Sequence, residues 1–341
     1  MSLSSHLESK RSPVRAWFEK QLPETRNVAR EANRSLRRGA TECPVPRIDG
    51  ADASLVGTGI DYLLRACLRV SSIERTVASK AVQALAANPR IGMRAIEVER
   101  EAVSDIKQLR PSSRDLADHQ WVDLSIRCLV LARFEQFYRA GPMNPAILDF
   151  VVRPLRECDS LDQFIELSLS SSTIQDLTQL GRTVWEDHSD LRRARPLVLN
   201  PTFLQSSALG GADADLIARR RLIDWKATAT TGVVSRHELW QLIGYAMADT
   251  TDQFAIREVS VAALRWRTTV SWSLNDLLDE LAPGPPAKLR TIGGSTPRRK
   301  PVDLPLLRED FARAVATART ERRLNQRLGR PKGTLPSPPK L

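Results

Sequence analysis

Residues 210–226, GGADADLIARRRLIDWK, bring Asp213, Asp215, Asp224 and Lys226 into one short segment. Apolar Leu216-Ile217 and Leu222-Ile223 flank a basic Arg219-Arg220. This is the pattern of a β-hairpin whose two-residue loop pairs Ala218 with Arg221. Counting outward sets Ile217 against Leu222, Asp215 against Asp224 and Asp213 against Lys226. Strand side chains alternate faces, so these acids and the lysine share one face, with opposed Cβ atoms ~5 Å apart. Opposed carboxylates repel, a divalent cation between them removes that repulsion, and an oxygen-rich cluster suits Mg²⁺ or Mn²⁺. The competing reading is a solvated hairpin with a surface Asp213–Lys226 pair. Against it, Ile217 and Leu222 fall on one face and Leu216, Ile223 and Trp225 on the other, and strands covered on both sides do not cheaply retain acids. Arg219-Arg220 lacks the Gly or Asn that a primed turn prefers; a four-residue loop centred there keeps the same register.

The elements that must position this hairpin follow from periodicity. Leu55, Ile60, Leu63, Leu64, Cys67 and Leu68 form a helical stripe over 55–70. Helical patterns then continue over 72–85, 91–108, 113–140, 144–153, 160–169 and 173–189, with breaks expected at Pro111, Gly141-Pro142 and Pro154. A short buried strand is expected at 196–203, ahead of the hairpin. Ser235 with Glu238 three residues on forms a capping box that opens a helix through Leu239, Leu242, Ile243 and Ala246. Strands at 256–265 and 268–273, short helix 275–281, linker-like stretches near Pro283 and Gly293, and an arginine-rich helix at 306–328 complete the reading.

The chain has 341 residues and 42% hydrophobic content, enough for a real core in one large domain or two ordinary ones. Cys43, Cys67, Cys128 and Cys158 lie far apart without a CxxC pair. That argues against a zinc ribbon or disulfide scaffold and for a reduced, cytoplasmic setting. No apolar run suits a membrane span, and the first twenty residues lack the apolar segment of a secretory signal. The net charge of +11 is uneven: residues 1–40 hold nine Lys or Arg against four acids, residues 283–341 fourteen against four, and the middle 28 against 32. The two ends therefore read as basic arms suited to phosphates: a partly disordered arm at 1–50, and a linker, basic helix and tail at 283–341. Arginine outnumbers lysine 42 to 9, so a compositional habit accounts for part of that load. Candidate nucleic-acid contacts are Arg298, Arg299, Lys300, Arg322, Arg323, Arg327, Arg330 and Lys332. His119, His188 and His237 have no spacing to a second ligand, and the tryptophans read as core, with Trp266 also able to stack on a base between Arg265 and Arg267.

Four segments in order, Gly57-Thr58-Gly59-Ile60-Asp61, Asp215-Leu216-Ile217, Asp224-Trp225-Lys226 and Gln241-Leu242-Ile243-Gly244-Tyr245, resemble the PD-(D/E)xK nuclease superfamily, and its RecB-like nuclease branch most closely. The resemblance covers residues 55–70 and 196–275, with Asp61 where the branch has histidine. It implies a restriction-endonuclease-like α/β fold: a mixed sheet flanked by helices, with 51–70 as its first helix and 196–282 as its core; the helical patterns over 71–195 read as a large all-α insertion between them. The implied function is divalent-metal-dependent hydrolysis of DNA phosphodiester bonds. Asp215, with Asp213 as the alternative first acid, Asp224 and the Trp225 backbone carbonyl would hold Mg²⁺ or Mn²⁺, and Asp61 keeps an oxygen ligand in place of the histidine. Lys226 would orient water or stabilise charge at phosphorus. Gln241 and Tyr245, four apart on one helical face, would reach a backbone phosphate or brace Lys226; an ordinary amphipathic helix with Tyr245 in the core is the alternative. A catalytically inactive nuclease-fold module that binds DNA or RNA, or action on RNA, is the rival function. No helicase or ATPase motif is present, so any unwinding or defence partner is a separate protein.

Overall fold

The computed structural model describes residues 2–37, 42–74, 76–109, 111, 115–141, 144–212, 214–283 and 301–327. Asp213, Arg298, Arg299, Lys300, Arg330 and Lys332 lie outside them. A five-stranded mixed sheet runs in chain order: β1 (Leu197–Leu199), β2 (Leu216–Ala218), β3 (Arg221–Lys226), β4 (Glu258–Ala263) and β5 (Thr268–Ser273). All neighbours are antiparallel except β3 and β4, which are parallel and therefore need a crossover between them. The fold is thus mixed α/β.

The hairpin closes at the expected place, with Ala218 opposite Arg221, Ile217 opposite Leu222 and Leu216 opposite Ile223. Arg219 and Arg220 occupy the turn at φ 50° and 68°. Positive φ at both central residues is the conformation whose twist matches the strands, and each non-glycine residue there costs about 1 kcal/mol or more. Hydrogen bonds offset that cost: the Arg219 N–H donates to the Pro196 carbonyl at 3.0 Å, and the Arg220 carbonyl accepts from Arg257 N–H at 2.9 Å. The Arg220 Nε also donates to the Ala255 carbonyl at 3.1 Å.

Helices cover both faces. α1 (Leu3–Glu8), α2 (Pro13–Gln21) and α3 (Thr25–Leu36) precede α4 (Ala53–Leu68), which Asp52 caps by accepting from Leu55 N–H. Then come α5 (Val77–Leu85), α6 (Gly92–Leu109), α7 (Asp118–Ala140), α8 (Pro145–Ile147), α9 (Arg153–Glu157), α10 (Leu161–Ser168) and α11 (Ser171–Asp187). Pro154, expected to break a helix, instead occupies the first turn of α9, where a missing N–H does no harm. α12 (Ser206–Leu209) follows β1, α13 (Arg236–Ala248) spans the crossover from β3 to β4, and α14 (Leu274–Leu281) and α15 (Leu304–Arg327) follow β5.

One apolar cluster packs α4–α11 against the sheet face formed by Leu216, Ala218, Ile223, Trp225 and Ala262. The other packs α1–α3 and α13–α15 against Ile217, Leu222, Val259, Val261 and Ala263. Two expectations change. Residues 2–37, within the expected 1–50 arm, are not partly disordered: Leu3, Leu7, Val14, Phe18, Val28, Ala32 and Leu36 are buried. Trp17 and Phe18 contact Phe311 of α15 at ring separations of 5.0 and 5.8 Å, so the basic C-terminal helix is a docked element as well. The helices of 71–195 share a single core with α4 and with the sheet, because α7 and α11 pack on α4 and α5 and α6 pack on α7.

Arg265, at the end of β4, and Asp176, on α11, are both 1% exposed and form an ion pair with two hydrogen bonds, Nη1 to Oδ1 at 3.1 Å and Nη2 to Oδ2. The Arg265 Nε donates to the Ala227 carbonyl at 2.7 Å, and Asp176 Oδ1 accepts from Ile48 N–H at 3.0 Å. A buried pair satisfied on all sides leaves an uncompensated charge when one partner goes. Asp176→Ala is expected to lower unfolding free energy by about 3–5 kcal/mol, whereas Glu19→Ala, which removes the surface Arg15–Glu19 pair, costs less than about 1 kcal/mol. Urea denaturation of the two variants checks the contrast.

Candidate active site

Asp215 stands immediately before β2, and its carbonyl accepts from Asn200 N–H at 2.9 Å, which prolongs the β1–β2 ladder to the acid. Extending the Leu216–Ile223 register by one residue sets Asp215 opposite Asp224, as the hairpin arithmetic expects. Asp215 is half-buried as a residue, with its carboxylate turned inward: Oδ2 accepts from Trp225 N–H at 2.6 Å. Asp224 is 6% exposed. Its Oδ2 lies 2.9 Å from Lys226 Nζ, so the pair is a close ion pair.

Burial and the adjacent Asp224 carboxylate push the Asp215 pKa up to about 7, against the Trp225 N–H and the charges of Lys226 and Arg65. For Lys226 burial disfavours the charge, but Asp224 first, then Asp215 and Glu238, outweigh it and hold the pKa above the ordinary lysine value. Strand alternation puts Asp215, Asp224 and Lys226 on the face that α13 and α1–α3 cover.

Asp61 does not join this group. It pairs with Arg65, one turn on, through an Nε–Oδ1 hydrogen bond of 2.9 Å and a second contact between Nη2 and Oδ2. Among the described residues no three His, Cys, Asp or Glu gather as a metal-binding set, which corrects the expectation of Asp61 as a third carboxylate beside Asp215 and Asp224. Gln241 and Tyr245 do meet, with Nε2 donating to the tyrosine oxygen at 2.7 Å. Gln241 also donates to Ser4 Oγ of α1 at 3.3 Å, and Tyr245 stacks on Phe203 at 6.0 Å. Those contacts make the pair part of the packing between α13 and its neighbours. Arg322 and Arg323 are exposed on α15, and Arg327 ends that helix. Trp266 is a core residue whose Nε1 donates to the Thr230 carbonyl at 3.1 Å.

Sequence reasoning missed Arg65 and Glu238 as charges acting on the site. The i,i+4 spacing of Asp61 and Arg65 was a signal for the first. For the second, the capping box placed Glu238 in the first turn of α13, and its carboxylate accepts from Ser235 N–H at 2.9 Å.

Compared with family models, with curated proteins and with solved structures, the chain finds no match. The chemistry therefore rests on the geometry. Two opposed acids with a cation at one end can bind a divalent ion, hold a proton near neutrality, or stabilise negative charge through Lys226.

Because the Asp215 pKa rises from 3.8 unfolded to about 7 folded, the native state holds an extra proton between those values. Its stabilising effect is complete below about pH 4 and lost as pH rises through about 7. With divalent ions chelated, Asp215→Asn is expected to unfold several degrees above wild type at about pH 8 and to lose that advantage towards pH 4. Thermal melts across this range check it; an advantage that stays constant with pH contradicts the assignment.

Proposed function

We propose that the chain is a divalent-metal-dependent nuclease that hydrolyses DNA phosphodiester bonds at Asp215, Asp224 and Lys226. One observation carries the reading: two buried carboxylates oppose each other across a hairpin, and a lysine two residues beyond the second pairs with it. The element order supports it. Helix α4, three antiparallel strands, helix α13 and a fourth strand parallel to β3 follow the restriction-endonuclease-like plan that the motif resemblance implies.

The donor set fits Mg²⁺ or Mn²⁺. Mg²⁺ is usually held by one or two carboxylates, with waters and substrate phosphate completing its shell. Asp224 is a buried carboxylate, and Asp215 carries a pKa raised by burial and by Asp224, which a bound cation would relieve. Asp215, Asp224 and the Trp225 carbonyl are the proposed ligands. When bound, the metal lowers the pKa of a water and polarises the scissile phosphate. Asp215 must give up its proton to serve, so loading strengthens as pH rises through neutrality. Lys226, kept protonated by Asp224, Asp215 and Glu238, acts as a fixed cation towards charge developing on the phosphate oxygens; a neutral lysine base is not available near pH 7.

A non-catalytic nuclease-fold module that binds nucleic acid is the second reading, favoured by the tie between Asp61 and Arg65 and the short carboxylate set. Cleavage of linear, circular and single-stranded DNA, and of RNA, with Mg²⁺ or Mn²⁺ separates the two. Asp224→Ala and Lys226→Ala are each expected to lower the cleavage rate by about 10²-fold or more while remaining folded. Folded wild type that cuts none of these substrates, or variants that cut as fast as wild type, overturns the nuclease reading.

A further inference from the structure

We propose that the outer face of α3, with the first residue of α13, is the surface on which nucleic acid lies, its phosphodiester backbone held by Arg26, Arg30, Arg34, Arg37 and Arg236. The inference rests on the nuclease reading for where the cleaved bond sits, and on its own observations for binding. Arg26, Arg30 and Arg34 are exposed along α3, and Arg37 is its exposed C-cap. At about 100° per residue they fall within an arc of ~80°, and each four-residue step rises about 6 Å, giving a ladder of guanidiniums. The opposite side of α3, Val28, Ala29, Ala32 and Leu36, is buried against the core, so the ladder is held at a fixed height.

The array is unusual within this chain. Several helical arginines meet an acid three or four residues away, as in Arg15–Glu19, Arg65–Asp61, Arg94–Glu97, Arg139–Glu135 and Arg153–Glu157, and others, such as Arg100 and Arg156, stand singly without an ion pair among the described residues; on α3 four such arginines share one arc. Among the described residues no carboxylate lies within ion-pair distance of Arg26, Arg30, Arg34 or Arg37. Glu31, the exposed acid of α3, lies outside their arc. Like charges at i,i+4 destabilise a helix, and a polyanion along the ladder relieves them. Arg236 extends the array: its guanidinium lies over the Trp240 ring, 4.4 Å from the centroid, and burial and then the charges of Arg26 and Arg15 hold its pKa down against that of Glu19.

The ladder is also tied to the candidate site. Asn33, on α3, donates from Nδ2 to the Val234 carbonyl at 2.6 Å and accepts at Oδ1 from Val234 N–H at 2.9 Å. Val234 belongs to the connection from Lys226 to α13, and α3 and α13 cover the sheet face that carries Asp215, Asp224 and Lys226. Guanidiniums suit phosphate by bidentate hydrogen bonding. A lipid surface fits less well. An interfacial helix inserts its apolar side into the bilayer, whereas that of α3 is already docked.

The test is binding of a short fluorescein-labelled DNA duplex, and of its single strand, to the full chain with metals chelated, read by anisotropy over a range of salt. The ridge variant replaces Arg26, Arg30, Arg34 and Arg37 with Gln. A control of equal charge loss replaces Arg90, Arg100, Arg156 and Arg193, all exposed on the helical layer. The ridge variant is expected to reduce the log–log salt slope by about 3.6 for the duplex, at roughly 0.9 for each of the four lost phosphate contacts, with the control close to wild type. Equal slopes in all three proteins, equal losses in ridge and control variants, or binding only to phosphatidylserine vesicles and not to DNA, overturns the proposal. Because cleavage is not read, a ridge that binds in a protein that never cuts leaves this inference standing and removes the nuclease reading. Cutting with an unaltered ridge-variant slope does the reverse.

Discussion

The Arg265–Asp176 pair joins three parts of the chain that nothing in local sequence connects. Arg265 closes β4, Asp176 projects from α11 in the helical layer, and the carbonyls of Val45 and Pro46 with the Ile48 N–H bring in the segment before α4. Through Nε the same guanidinium holds the Ala227 carbonyl, one residue past Lys226. Desolvating two charges is expensive, and it is tolerated here because the planar donors of arginine and the lone pairs of aspartate all find partners. The consequence is positional. The end of β3 that carries Asp224 and Lys226 is fixed to the helical layer by a bond that has no slack.

On the other face the same strand end is held by softer means. α13 is capped by Ser235, its C-terminal turn is tied by Arg308, whose Nε donates to the Ala246 carbonyl at 3.2 Å, and α3 clamps Val234 through Asn33. The site therefore sits where two layers anchored independently meet a sheet between them. Burying two facing acids here lowers stability above neutral pH, and Lys226, 2.9 Å from Asp224 Oδ2, is the cation that offsets part of it. Sequences that break a local rule in this way tend to do so at functional sites.

Much of this was legible in the sequence wherever period and spacing decide the outcome. A period of two fixed the hairpin register and hence the opposition of Asp215 and Asp224, while Ser235 and Glu238 announced α13. Charge alone misled. Residues 1–37 hold enough basic side chains to look like a free arm, yet Thr25, Val28, Ala29, Ala32 and Leu36 recur at helical spacing and are buried. The separateness of 71–195 was misread for a related reason, since helical periodicity reveals an apolar face and not which other face covers it; here α7, which packs on α4, α5, α6 and α11, ties those helices to α4. Asp61 looked like a ligand by motif position, when the nearest competitor for its carboxylate, Arg65, stood one turn away. The link from Gln241 to Ser4 crosses 237 positions and leaves no local trace.

Charge placement then separates arginines by what they do. Arg65, Arg133, Arg265 and Arg308 are buried and tied to carboxylates or carbonyls, so they belong to the architecture. Those on the outer side of α3 have no carboxylate partner among the described residues, although Glu31 stands on the same helix and the Arg37 Nε donates to the Asn33 carbonyl at 3.1 Å. If arginine abundance were only a compositional habit, exposed arginines in helices would be expected to meet acids as readily in one helix as in another. Arg15, Arg94, Arg139 and Arg153 do so, and those that do not, such as Arg100 on α6 and Arg156 on α9, stand singly, whereas on α3 four share one arc with no carboxylate partner among the described residues. The exception falls on the helix that is clamped to the connection leaving Lys226, so the unbalanced charge and the paired acids lie on one side of the sheet. An anionic chain lying along α3 would thus be drawn towards the face that holds Asp215, Asp224 and Lys226, with rigid packing on both sides setting the distance between them.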